Sequence, residues 1–132
     1  MIYMLDTNIC IYLIQQKSPR LLQRIRRQSP GDIGLSSITV AELRYGVAKS
    51  SAVERNRQAL ERFLLPFGIL DFDEIAAITY GQARSTLERA GTPIGPLDNL
   101  IGAHALSLGM RLVTNNMREF QRIPGLSVEN WT

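Results

Sequence analysis

Four short, mostly apolar runs, each ending in polar side chains, limit what this chain can fold into. They are Ile2-Tyr3-Met4-Leu5 before Asp6-Thr7-Asn8, Ile33-Gly34-Leu35 before Ser36, Phe67-Gly68-Ile69-Leu70 before Asp71, and Met110-Arg111-Leu112-Val113 before Thr114. Runs this short, without polar alternation, predict strands covered on both faces, which is the environment of a parallel sheet. The segments between them carry helix signals. Ile9 to Ile14 is apolar after Asp6, with Thr7 or Asn8 placed to cap it. Ser18-Pro19 starts a second helix with Leu21, Leu22 and Ile25 inward, broken at Pro30-Gly31-Asp32. Thr39-Val40-Ala41-Glu42 and Ser51-Ala52-Val53-Glu54 have capping-box spacing, predicting one helix to Ala48 and another through Leu60, Phe63 and Leu64 to a stop at Pro66.

Asp71, Asp73 and Glu74 complement the dipole of a helix that carries Ile75, Ile78, Ala83 and Leu87 to Ala90-Gly91. After the rigid loop Gly91 to Pro96, Asp98 enters a helix with Leu100, Ile101, Ala105 and Leu106, closed by Gly109. A short edge strand is expected around Leu126–Val128. Strands alternating with helices predict an α/β fold with a four- or five-stranded parallel sheet flanked by helices on both faces. The 132 residues are read as one domain, with no repeats and no linker.

A sheet of that kind collects its strand carboxyl ends at one edge, where ligands bind. Asp6, Glu42 (in the first turn of the helix after strand two), Thr114, Asn116 and Glu119 are expected there. Asp98 joins them only if its loop and helix return across the edge. Asp6 alone is equally well read as a helix cap. Several carboxylates in one pocket cannot all ionise without a compensating cation. An all-oxygen donor set favours Mg²⁺ or Mn²⁺ over zinc. Such a site suits hydrolysis of a phosphodiester.

Composition removes other classes. No apolar run approaches the ~18 residues of a membrane span, and the N-terminus lacks a secretory signal, so a cytoplasmic protein is expected. A single cysteine, Cys10, gives no disulfide framework and reads as packing. The net charge is +3, and only Lys17 and Lys49 are lysines, the other thirteen basic residues being arginines. Guanidinium groups suit phosphate contacts, which marks the cluster Arg20, Arg24, Arg26 and Arg27. A solvated helix face is the competing explanation. His104, six residues past Asp98, is turned away from it. With one histidine, a two-histidine ribonuclease mechanism is excluded, and the expected products are a 5′-phosphate and a 3′-hydroxyl. No Gly-rich nucleotide loop is present. A receiver-type phosphoryl-transfer domain would want a lysine at a later strand end, where neither lysine lies.

Four segments carry a resemblance: Leu5-Asp6-Thr7-Asn8, Glu42 in Thr39-Val40-Ala41-Glu42-Leu43, Pro96-Leu97-Asp98-Asn99-Leu100-Ile101, and Thr114-Asn115-Asn116-Met117-Arg118-Glu119-Phe120. In register over essentially the whole chain, they resemble the PIN-domain family. The length and closing Trp131 resemble its VapC branch of ribonuclease toxins from bacterial toxin–antitoxin pairs. The resemblance implies a Mg²⁺- or Mn²⁺-dependent endoribonuclease, commonly a homodimer, neutralised by an antitoxin that binds the operon's DNA. It implies that Asp6, Glu42 and Asp98 are catalytic, metal-binding acids. Many members carry an aspartate where Asn116 stands, and Glu119 is placed to supply that charge. Thr7 and Asn8 are expected to orient Asp6 or meet phosphate, with Thr114 in support. The RNA implied is a structured loop, with tRNA favoured over rRNA or mRNA. Arg20, Arg24, Arg26, Arg27, Arg84 and Arg118 are the phosphate-contact candidates, and Tyr45 or Tyr80 could stack on bases, although core packing is the plainer role. The alternative is an inactive RNA- or protein-binding module of the same fold, suggested by Asn116.

Overall fold

The computed structural model describes residues 1–29 and 31–132. Of the predicted helix break, Pro30 lies outside the described residues. The elements in chain order are β1 (Tyr3–Leu5), α1 (Thr7–Ile14), α2 (Pro19–Arg26), β2 (Ile33–Ser36), α3 (Ser37–Ala48), α4 (Val53–Leu64), β3 (Gly68–Leu70), α5 (Glu74–Arg89), α6 (Pro96–Ser107), β4 (Arg111–Val113), α7 (Met117–Phe120) and β5 (Val128–Glu129). All five strands are parallel, in the order β3-β2-β1-β4-β5. The predicted edge strand is present, displaced to Val128–Glu129.

Alternation along the strands divides the interior into two layers. Leu5, Leu35 and Val113 face one layer with Ile9, Leu21, Leu43 and Leu60. Met4 and Leu112 face the other with Leu87, Ile101, Ala105 and Phe120. Side chains of this size, fully buried, contribute roughly 1.5–3 kcal/mol each, so the central strands are held from both sides.

Helix starts depart from the sequence expectation in three places. Asp6, not Thr7 or Asn8, caps α1. Ser36 caps α3 by accepting from the Ile38 N–H at 3.1 Å, so the cap lies three residues before Thr39, where the spacing suggested it. Glu42 therefore lies in the second turn, not the first. α4 begins after Ala52 with no side-chain cap, so the Ser51 box does not form. On α5, Ile75 and Ile78 stay 63% and 54% exposed. The inward stripe is Ala76, Ala83 and Leu87, and its two alanines let α5 lie close along α6.

The return of Asp98 follows from the last two helices of that layer. α5 ends on Gly91 at φ +72°. Its N–H bonds to Glu88 O at 3.1 Å and the Thr92 N–H to Leu87 O at 2.9 Å. Left-handed backbone at that position favours glycine. α6 closes the same way on Gly109 at φ +66° and leads straight into β4. β4 starts at the edge opposite the strand carboxyl ends, so the beginning of α6, with Asp98, lies back at the polar edge.

Candidate active site

The strand order reverses between β1 and β4, since β2 and β3 lie to one side of β1 while β4 and β5 lie to the other. Loops diverge at such a point and leave a crevice. Asp6 ends β1 and Thr114 ends β4, so both stand at its floor. Asp6 is 3% exposed and does two things at once. Its Oδ1 accepts from the Ile9 N–H at 2.8 Å, closing the first turn of α1, and its Oδ2 accepts from the Thr114 hydroxyl. Thr114 in turn accepts from the Asn116 N–H at 2.9 Å. The cap and the crevice carboxylate are thus one group. Burial holds the Asp6 carboxyl above its usual range, outweighing the bonds from Thr114 and Ile9, and Glu42 adds to the rise.

Glu42 reaches the crevice from α3, where its Oε1 accepts from the Thr7 hydroxyl at 2.7 Å. That hydroxyl also lies 3.3 Å from the buried Thr39 hydroxyl. Thr39 is a participant the sequence reading assigned to a cap. Its position three residues before Glu42, on the same side of a helix, is the signal that could have found it. Asn8 is exposed, and its backbone N–H rather than its side chain lies toward Asp6.

The opposite wall holds a second acidic pair. Asp98 is pushed up to about 7, first by burial, then by the hydrogen bond and charge of the adjacent Glu119 carboxylate, with smaller pushes from Asp6 and Glu42. Glu119 is held there by the Asn116 side chain, whose Nδ2 donates to its Oε2 at 3.1 Å. Asn116 thus meets the crevice through Glu119, whose carboxylate lies beside Asp98. Glu119, Asp6 and Glu42 each raise Asp98, so all three lie within electrostatic reach of it across the crevice. They have not collapsed onto one point, for among the described residues no three His, Cys, Asp or Glu side chains form a ready metal cage. Hard oxygen donors that raise one another's proton affinity fit a hard divalent cation, and fit zinc poorly.

His104 is buried away from the crevice. Its Nδ1 lies 2.7 Å from Ser36 Oγ and its ring meets Phe72 edge-on at 5.2 Å. Of the basic candidates, Arg20, Arg24 and Arg27 line one cleft, and Arg26 does not. Arg84 is taken up by the Tyr80 hydroxyl at 2.7 Å and Glu88 at 3.6 Å. Arg118 is exposed on α7 beside Glu119. Tyr45 is 65% exposed with the Lys49 ammonium 4.9 Å over its ring, so it is not a core residue.

A family model described as the PIN domain matches residues 3–126. The chain is similar to the tRNA(fMet)-specific endonuclease VapC of Salmonella typhimurium, at 47% identity over 129 residues that span 98% of this chain and 97% of that one. It is also similar to ribonuclease VapC2 of Rickettsia felis, at 45% identity over 132 residues spanning 99% and 98% of the two chains. Among solved structures, a chain of DNA-bound VapBC from Salmonella typhimurium superposes with a TM-score of 0.95 at 46% identity, covering 100% of this chain and 99% of that chain. A chain of VapBC2 from Rickettsia felis bound to a promoter DNA fragment gives 0.91 at 43% identity, with both chains covered completely.

Proposed function

The chain belongs to the PIN-domain family, and from that premise we propose that it is a VapC-type endoribonuclease toxin that hydrolyses tRNA with the help of Mg²⁺ or Mn²⁺. The observation that carries the reading is the four-carboxylate crevice at the sheet's switch point, in which burial and the neighbouring Glu119, Asp6 and Glu42 push Asp98 up to about 7. Asp6, Glu42, Asp98 and Glu119 are the residues that would hold the cation. Bound there, it supplies positive charge that acidifies water and offsets charge growing on a phosphodiester.

The chain's own groups do the positioning. Thr114 and the Ile9 N–H fix both oxygens of Asp6, Thr7 orients Glu42, and Asn116 orients Glu119. The neutral Asn116 gives no reason to read the pocket as inactive, because Glu119 puts a carboxylate beside Asp98. Asn116→Ala is expected to weaken Mn²⁺ binding about tenfold, as loss of an orienting partner does. Calorimetric titration checks this, with an unchanged melting temperature in chelator showing that the fold is intact.

The antitoxin is the proposed protein partner. An apolar groove of about 330 Å³ runs between α1, α3 and α4, lined by Ile11, Ile14, Val47, Ala59 and Leu60, with Glu42 at its side. A peptide lying there would pass beside the acids, and DNA would be reached only through that partner. Exposed Ile75 and Ile78 on α5 are candidates for a homodimer surface, to be read by sedimentation. Buried, unpaired Cys10 and a chain without a helix long and apolar enough to cross a membrane, among the described residues, accord with a cytoplasmic toxin.

The initiator tRNA is the first substrate to try, given the name of the Salmonella relative. Purified protein is incubated with initiator tRNA, elongator tRNAs and rRNA, in Mg²⁺, Mn²⁺ and chelator, and the ends are mapped. Cuts in one tRNA loop that need metal and leave 5′-phosphate and 3′-hydroxyl ends are expected. Chelator-resistant cutting, or 2′,3′-cyclic ends, would rule out the metal-assisted mechanism.

A further inference from the structure

The nuclease reading leaves unused the roomiest of the described clefts. It has a volume of about 520 Å³ and lies between α2 and the residues after β5, lined by Arg20, Gln23, Arg24, Arg27, Trp131 and neighbouring Asn130. The three arginines fall at i, i+4 and i+7, on one face of α2. They are not equivalent. The Arg24 guanidinium stacks 4.8 Å from the centre of the Trp131 ring and lies 3.5 Å from a Glu129 carboxylate oxygen. The indole N–H donates to the same Glu129 carboxylate at 3.1 Å, and Tyr3 packs edge-on against the ring at 4.8 Å. Arg24 is therefore held by the Trp131 ring and by Glu129, which also lies 3.5 Å from Arg111, and it clamps the chain end to α2. Arg20 and Arg27, on either side of it, are exposed and have no carboxylate partner among the described residues.

The cleft opens beside the acids. Glu129 O accepts from the Thr114 N–H at 2.9 Å, and Thr114 is bonded to Asp6. β5 is two strands from β1, about 10 Å along the sheet edge, and the chain leaves it for the cleft at the edge that carries Asp6. Seven helical residues also separate Arg20 and Arg27 by about 10 Å. The lining is guanidinium, amide and a covered indole, with little apolar surface for a protein partner. Guanidinium groups bind phosphate bidentately.

We propose that the α2–Trp131 cleft binds the RNA backbone flanking the scissile bond, with Arg20 and Arg27 on two phosphates and Arg24 locked as the structural wall. This rests on the nuclease reading for its ligand, but binding can be read without cleavage. Affinity for unfractionated tRNA is measured in chelator at several salt concentrations, for the unmutated protein, for Arg20→Gln/Arg27→Gln and for Arg20→Lys/Arg27→Lys.

Neutralising two phosphate contacts lowers the slope of log K against log salt by about 1.4–1.8. The glutamine pair is therefore expected to lose that much slope and to bind at least tenfold more weakly at moderate salt. The lysine pair should keep the slope. Arg20→Gln alone, at an exposed position, should lose half the slope and guards against a folding defect in the pair. An unchanged slope in the glutamine pair overturns the proposal, and if that pair instead loses the antitoxin, the cleft serves a protein. Tight, salt-dependent binding by an unmutated protein that never cuts would end the nuclease reading and leave the cleft standing.

Discussion

Asp98→Asn should abolish most RNA cleavage while making the protein harder to melt. Removing one preorganised charged group from a reacting site lowers the rate by about 10²–10³-fold. The stability change runs the other way. Asp98 has a folded pKa of about 7 against an ordinary 3.8, raised by burial and by Glu119. A group whose proton is held more tightly in the folded state makes stability fall as pH rises from about 4 through about 7. Above that window Asp98 is an ionised carboxylate facing Glu119, Asp6 and Glu42, and asparagine removes the repulsion.

Asparagine also gives up a favourable charge in the first turn of α6, an opposing loss of at most about 1 kcal/mol. The proton held across that window is the larger effect, so a net gain near 1 kcal/mol, about 3–5 °C in chelator at pH 8, is expected. At pH 5 Asp98 is already protonated and the gain should vanish. Calorimetry of both proteins at the two pH values checks this, and an equal gain at both would show that repulsion is not its source. Added Mn²⁺ should raise the melting temperature of the unmutated protein more than that of the variant, by mass action.

The strands, and the placing of Asp6 and Thr114 at their ends, were legible in the sequence because both are local statements. A buried parallel strand is written as an apolar run, and Asp6 and Thr114 directly end two of them. Fine helix starts were not legible, because Ser36 and Thr39 both offer a capping hydroxyl and only the strand's end decides between them. The exposure of Ile75 and Ile78 was hidden for a similar reason. α5 has two apolar stripes, and its packing on α6 selects the one with small residues. Asn116 looked like a lost ligand because a sequence shows residue type, whereas its work is to hold Glu119 against Asp98. The arginine cluster looked uniform, and only the Trp131 stack and Glu129 separate Arg24 from Arg20 and Arg27.

Asp6→Ala and Asp6→Asn should both lose cleavage yet part company in stability. The sequence suggests that Asp6→Asn and Asp98→Asn behave alike, both easing repulsion, but Asp6 also bears structural bonds. Alanine removes the acceptor of the Ile9 N–H, a cap that contributes about 1 kcal/mol. It also strands the Thr114 hydroxyl, fully buried, at about 1–3 kcal/mol. Relief of the buried charge offsets part of this, leaving a net loss of about 2 kcal/mol. Asparagine keeps an oxygen for Ile9, and its amide donates to the Thr114 oxygen, whose second lone pair still serves the Asn116 N–H.

Since burial already holds the Asp6 carboxyl above its ordinary range, its charge is a burden to the fold and losing it does no harm. Asp6→Asn should therefore stay within about 1 kcal/mol of the unmutated protein, on the scale of one exchanged hydrogen bond. Urea denaturation in chelator decides it. Equal, large losses in both variants would mean that the ionised carboxylate itself holds β1, β4 and α1 together, and no loss in Asp6→Ala would mean that the cap and the Thr114 bond contribute nothing. With the expected split, the shape and acceptor oxygens of Asp6 serve the fold, and its charge serves only the reaction.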